Sequence, residues 1–273
     1  MLIIENLKTY YSVFKMRLIN SLQYRTAALA GIATQFFWGF MLIMIYEAFY
    51  QNADMTQPIS LNQVIDYIWL QQAFLVFVAL WYRDGELFSL ITSGNVAYEL
   101  CRPCSLYDFW YARLIAQRIA GALLRCFPIL FIAFLLPEPY KLSVPGNLAV
   151  VALFVITLIF GLMVLVSISM LIYVSVFITM SPTGSTLVIS IIGEFFAGMI
   201  LPIPLMPEWL QKIAYILPFR LAADLPFRIY SGNIPINEAI LSVFVQITWL
   251  IVLVLSGRFF LNKVLKRVVI QGG

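Results

Sequence analysis

The sequence predicts an all-α integral membrane protein with six transmembrane helices and both termini in the cytosol. Hydrophobic residues make up 62% of the 273-residue chain and charged residues only 11%, against about 45–50% and about 25% in soluble domains. Mean hydropathy over the chain is +0.94. Six apolar stretches approach the roughly 20 residues that a helix needs to cross about 30 Å of hydrocarbon. Lipid is the only solvent that suits so many apolar side chains. A soluble enzyme, a disordered chain and a nucleic-acid-binding module are excluded.

Residues 1–26 read as a cytosolic interfacial helix and residues 27–273 as one transmembrane domain. Ile3, Leu7, Tyr11, Phe14, Leu18 and Leu22 recur at spacings of four and three, which puts them on one helical face. Lys8, Lys15 and Arg17 are available to anionic headgroups, so the stretch reads as an amphipathic helix on the inner leaflet. The plainer alternative is a lead-in packed on the bundle. No cleavable signal peptide is expected, because charges interrupt the first 25 residues.

The six spans fall at about Ala27–Phe49, Leu61–Tyr82, Ile115–Leu136, Leu148–Met180, Ser185–Ile203 and Asn237–Phe260. Asp66, Gln71 and Gln72 make the second the weakest, and the fourth is long enough to tilt or protrude. With the N terminus in the cytosol, thirteen of the 17 basic residues fall on the cytosolic side. The positive-inside bias therefore orients the chain N-in and C-in. The expected location is the cell inner membrane. Glu47, Asp54, Glu138, Glu208, Asp224 and Glu238 then lie at or near the outer face.

The stretch between spans two and three is cytosolic by this argument and about thirty residues long, well beyond the usual helix connection. Asp84, Gly85, Glu86 and Leu87 open it, and Leu87, Leu90, Ile91 and Tyr98 offer an apolar stripe. Ser93-Gly94 breaks the helix once, and Arg102-Pro103 ends a second piece containing Tyr98 and Glu99. Two short helices under a bundle suit a docking surface for a cytosolic partner. A solvated connector is the blander reading. On the outer side, Pro202, Pro204, Pro207, Pro218, Pro226 and Pro235 cut an aromatic segment into pieces too short to cross. With Phe219 and Asp224 it reads as a re-entrant external gate or a rigid lid.

Charges inside spans are costly and mark a function or a pair. Glu194 sits near the centre of span five, and Arg118 and Arg125 share one face of span three. Glu194 lines a translocation path that favours cationic or amphipathic substrates, or it pairs with Arg125. The chain has no His, which removes His-based catalysis and His metal ligation. Cys101-Arg102-Pro103-Cys104 has C-x-x-C spacing, but Cys126 is the only other cysteine and a structural zinc needs four ligands. Two ordinary loop cysteines are expected, with no metal site. The nearest approach to a P-loop, Ser181-Pro182-Thr183-Gly184-Ser185-Thr186, lacks its Lys and leading glycines. The chain is therefore not expected to hydrolyse ATP.

Six spans, an interfacial first helix, a long first cytosolic loop and a broken outer segment resemble the permease subunits of ABC type 2 (ABC-2) transporters. Ser93-Gly94-Asn95-Val96-Ala97-Tyr98-Glu99-Leu100-Cys101-Arg102-Pro103 is similar to the SG-x-(I/V)-A-x-x-L-x-RP loop of permeases found beside a second permease and an ATPase. Leu217-Pro218-Phe219, Asp224-Leu225-Pro226 and Ile229-Tyr230-Ser231-Gly232 are similar to the same subgroup's outer segment. The resemblance implies that the first cytosolic loop is a coupling helix seated in a nucleotide-binding subunit. It implies two such ATPases, which carry ATP and Mg, and a second related permease or a second copy of this one. Export is the implied direction, and an apolar pathway with a buried acid permits a drug, lipid, peptide or cationic toxicant without ranking them. An ion-coupled secondary transporter is the alternative, although no internal repeat supports it.

Overall fold

The computed structural model describes residues 2–23, 25–52 and 57–266, and every regular element among them is helical. Asp54 and Arg267, both counted in the charge asymmetry, lie outside the described residues. The elements are α1 (Leu2–Ser21), α2 (Arg25–Gln51), α3 (Leu61–Ala73), α4 (Leu75–Val78), α5 (Gly85–Thr92), α6 (Val96–Leu100), α7 (Leu106–Leu135), α8 (Leu148–Thr179), α9 (Pro182–Phe196), α10 (Glu208–Ile216), α11 (Asp224–Tyr230) and α12 (Ile236–Leu265). Single 3₁₀ turns at Ile203–Leu205 and Phe219–Leu221 flank α10.

Four helices are long and apolar enough to cross a membrane: α2 from Ala28, α7, α8 and α12. They cover the expected first, third, fourth and sixth spans to within one residue at each end. The second and fifth are shorter. Helix α9 ends at Phe196, so its 15 residues reach about 22 Å at 1.5 Å per residue. The expected second span stops being a continuous helix after Ala73, turns once more as α4, and leaves the helix at Ala79 (φ −77°, ψ 128°) to turn again at Leu80 and Trp81. Asp66, Gln71 and Gln72 all lie within intact α3, and the break comes in the apolar half beyond them. Residues Phe74 to Tyr82 are rich in β-branched and aromatic side chains, which lose rotamer freedom in a helix.

Helix α8 is the axis of the molecule. Helices α12, α11, α9, α7 and α5 all pack against it, and α7 carries α1 and α2 on its other sides. Of the apolar face the spacing suggests, the Ile3 and Leu7 side chains lie outside the described residues. Helix α1 packs Tyr10 and Val13 against α7, bonds Glu86 of α5 through Arg17, and leaves Tyr11 and Ile19 exposed. Phe14 and Leu18 lie at the edge of the packed face. The exposed side then carries Lys8, Tyr11, Lys15 and Ile19, a mixed basic and apolar surface.

The prolines of the outer segment break the chain as expected. They also fold it inward. Pro202, Pro204, Pro218 and Pro226 are buried and α11 packs on α8 and α3, while α10 with Pro207, and Pro235 at the start of α12, lie on the surface. Buried Gln246 of α12 donates to Thr157 O of α8 (2.9 Å) and Leu221 O of the 3₁₀ turn (2.8 Å). A backbone that leaves the helix at this depth needs such partners.

Candidate functional site

The segment from α4 to α6 gathers most of the singled-out residues at one end of the bundle. Helix α5 begins where Asp84 caps it, accepting the Glu86 amide at 3.0 Å, which satisfies a donor the first turn leaves free. The same carboxylate is buried and takes a fork from Arg113 of α7, Nε to Oδ2 at 2.5 Å and Nη2 to Oδ1 at 2.8 Å. Arg113 also reaches Glu86 (2.5 Å), which Arg17 of α1 bonds from the other side at 3.1 Å. These bonds hold the Glu86 carboxyl below the usual carboxylate range. Tyr173 of α8 completes the anchor, its hydroxyl accepting the Asp84 amide at 2.9 Å.

Helix α5 is amphipathic, but its apolar stripe faces inward. Leu87, Phe88 and Ile91 are buried against α8, with Phe88 and Tyr173 rings 4.5 Å apart. Leu87 and Asp84, expected on the coupling surface, are therefore its foundation. The exposed surface is Gly85, Glu86, Ser89, Thr92, Ser93, Asn95, Tyr98, Leu100 and Cys101. Tyr98 is its most exposed large apolar side chain, 76% exposed. Between α5 and α6 the chain turns through Gly94 at φ 76°, a left-handed conformation that favours glycine. Arg102 does not reach outward for a partner: it bonds Glu99 at 3.1 Å and lies 4.7 Å over the Phe109 ring. That ties α6 to α7, and Pro103 beside it is exposed.

The broken run from α4 to α5 is held from two sides. Arg118 of α7 is fully buried and donates to three carbonyls, Val76 O (2.9 Å), Ala79 O (2.8 Å) and Tyr82 O (2.8 Å). A guanidinium is suited to this, since its donors form a fixed fork and its charge opposes the partial negative charge of a helix C-terminus. Glu194 of α9 accepts the Trp81 amide at 3.2 Å. Its neighbour Gly193 meets Leu80 so closely that a Cβ there would collide with the Leu80 side chain. Arg118 and Glu194 thus supply what the missing helix turns would have supplied.

Glu194 and Arg125 make no ion pair among the described residues. Arg125 is half-buried and lies against Gly31 of α2, where a Cβ would come within 2.8 Å of its Cζ. In the outer segment, Asp224 is fully buried and pairs with Arg228 at 3.3 Å. Arg228 also donates to the Tyr215 hydroxyl at 3.0 Å, and Arg220 sits 4.3 Å over the same ring. Phe219 is half-buried beside Gly193. Cys101, Cys104 and Cys126 are free thiols.

Two residues of this network escaped the sequence reading. In the sequence Arg113 counts only toward the charge bias, and Tyr173 lies within the apolar fourth span. A signal existed for Tyr173, because a tyrosine hydroxyl buried in such a helix needs a partner. Ser167, Ser169 and Ser175 of α8 bond back to carbonyls of their own helix.

Residues 36–272 match a family model described as ABC-2 family transporter protein. No curated protein and no solved structure matches the chain.

Proposed function

The chain belongs to the ABC-2 family of transporters, and from that footing we propose that it is the permease subunit of an ATP-driven exporter, coupled to its ATPase through the exposed surface of α5 and α6. Membership makes it a membrane component that works with ATPase subunits and is not itself the ATPase. The further reading has six crossings, with α3–α4 and α9 as the short second and fifth. Both termini and α5–α6 then lie in the cytosol, in the cell inner membrane. Two ATPases and a second permease, a relative or a second copy, complete the transporter. Its substrate is hydrophobic or amphipathic. ATP and Mg are held by the ATPases.

The observation that carries this reading is the pairing of an exposed face with a rigid base. Tyr98 and its neighbours stand out on two short helices whose other face is locked by Asp84–Arg113, Tyr173 and a buried apolar stripe. A push on such a surface moves the helices beneath it. The path runs through Arg113 to α7, through Tyr173 to α8, and along the non-helical chain before α5 to Glu194 of α9. Closing ATPases would thereby shift α7 against α9, and the inward-folded outer segment would follow through the contact of α9 with the Phe219 turn.

The test is co-purification from the native host with its own ATPase. Tyr98→Glu should remove the ATPase from the purified complex while the permease remains monodisperse, because a charge replaces the most exposed apolar contact. If the ATPase co-purifies undiminished, or if this chain alone drives uphill transport on an ion gradient, the reading is wrong.

A further inference from the structure

At the end of the bundle opposite α5 and α6 lies a cavity of about 350 Å³ between the start of α3, the α7–α8 loop and the end of α11. That volume falls in the range of small-molecule sites. Asn62, Asp66, Ser143 and Tyr230 give it polar walls, and Val144 and Val150 an apolar one.

The described residues include three buried carboxylates, Asp66, Asp84 and Asp224. Asp84 faces Arg113 and Asp224 faces Arg228. Asp66 is only 4% exposed and enters no ion pair among the described residues. The charged group that acts on it is another carboxylate, Glu138. Its Oδ1 accepts the Ser143 amide at 2.7 Å, and the Tyr230 hydroxyl donates to Ser143 O at 2.9 Å, which clasps the loop to α3 and α11. That clasp does not need a charge, since an amide oxygen accepts the same N–H. A buried carboxylate with no cation beside it is costly, and this one faces open space large enough to admit a cation.

We propose that Asp66 anchors a binding site for an organic ammonium ligand, with the Tyr230 side chain beside the cation and the Val144–Val150 wall against the ligand's hydrocarbon part. A hard metal ion suits the cavity less well: it seeks six or more oxygen ligands, and no group of three or more acidic or other metal-ligating side chains gathers among the described residues. The site stands apart from α5 and α6, so it holds whether or not those helices dock an ATPase.

The experiment is calorimetric titration of the purified full-length chain in nanodiscs, without ATPase, using benzylammonium and its neutral analogue benzyl alcohol. Benzylammonium should bind at one site, and benzyl alcohol should give no saturable heat. Asp66→Asn should weaken benzylammonium by about tenfold or more while leaving the thermal transition in place, because the asparagine oxygen keeps the Ser143 bond. Equal affinity in Asp66→Asn, or no saturable heat from benzylammonium at millimolar concentration, overturns the proposal. So does an infrared band of a protonated carboxyl that Asp66→Asn removes, since a proton would then be the counter-charge.

Discussion

At the α5 end of the bundle, Arg113 grips a carboxylate and Arg118 grips three carbonyls. At the opposite end Arg228 grips Asp224, Tyr215 joins Arg228 and Arg220 together, and Asp66 is left facing a cavity. Both ends contain backbone that has left the helix, and both bring charges in to hold it. The difference is one carboxylate. Where every buried charge has a protein partner, its work is to fix the chain in place. Where one does not, the surroundings have room for a partner from outside.

The largest effect expected from this comparison is at Arg118. Arg118→Ala would leave the carbonyls of Val76, Ala79 and Tyr82 unsatisfied in an apolar interior. At about 1–3 kcal/mol for each buried unsatisfied group, the loss is on the order of 5 kcal/mol. The variant should fail to purify as a monodisperse species, while Arg118→Lys, which keeps the charge and three donors, should recover part of the yield. Near-normal thermal stability of Arg118→Ala in detergent would mean that the break between α4 and α5 is held by something else.

Next in size is a direct contrast between carboxylates at the same end. Asp224→Asn removes the partner of a buried arginine and should cost about 3 kcal/mol. Asp66→Asn removes a charge that has no partner and should cost close to nothing, or raise the melting temperature. Thermal unfolding of the two variants side by side reads the contrast. If Asp66→Asn proves the more damaging, the division between partnered and unpartnered charge is lost.

The sequence announces some of this and hides the rest for physical reasons. Hydropathy alone locates α2, α8 and α12, because lipid imposes both the length and the composition of such helices. Asp84 as a cap and Gly94 as a left-handed turn are local signals, and α5 begins and ends where they stand. The prolines of the outer segment mark its breaks for the same reason. The end of α4 is not local. It depends on Arg118 and Glu194, which arrive from helices 36 or more residues away in sequence, and the residues at the break read as ordinary apolar span. Periodicity likewise identifies the apolar stripe of α5 and is silent on its partner: Leu87 and Ile91 meet the protein's own α8. Pairing Glu194 with Arg125 by their opposite charge overlooks that freed backbone groups compete for the same side chains.

The smallest effect separates two carboxylates that share Arg113. Asp84 is buried, whereas the Glu86 side chain is 69% exposed and bridges α5 to Arg17 of α1. Its bonds to Arg113 and Arg17 lower its pKa in the folded chain. A depressed carboxyl stabilises the fold above its unfolded pKa, about 4.3, and loses that contribution as pH falls through the lower folded value. The link from α1 to α5 should therefore hold unchanged from neutral pH to about 5 and loosen only below about 4. Exposure keeps its worth under about 1 kcal/mol, and salt weakens it further. Spin labels at Ser12 and Ser89 would report this as a distance distribution that broadens in acid. In Glu86→Gln the distribution should be broad at every pH, while labels bridging α7 and α8 stay unchanged in both proteins. A sharp, pH-independent α1–α5 distance in Glu86→Gln would show that packing of Tyr10 and Val13 on α7 holds α1 without the ion pair.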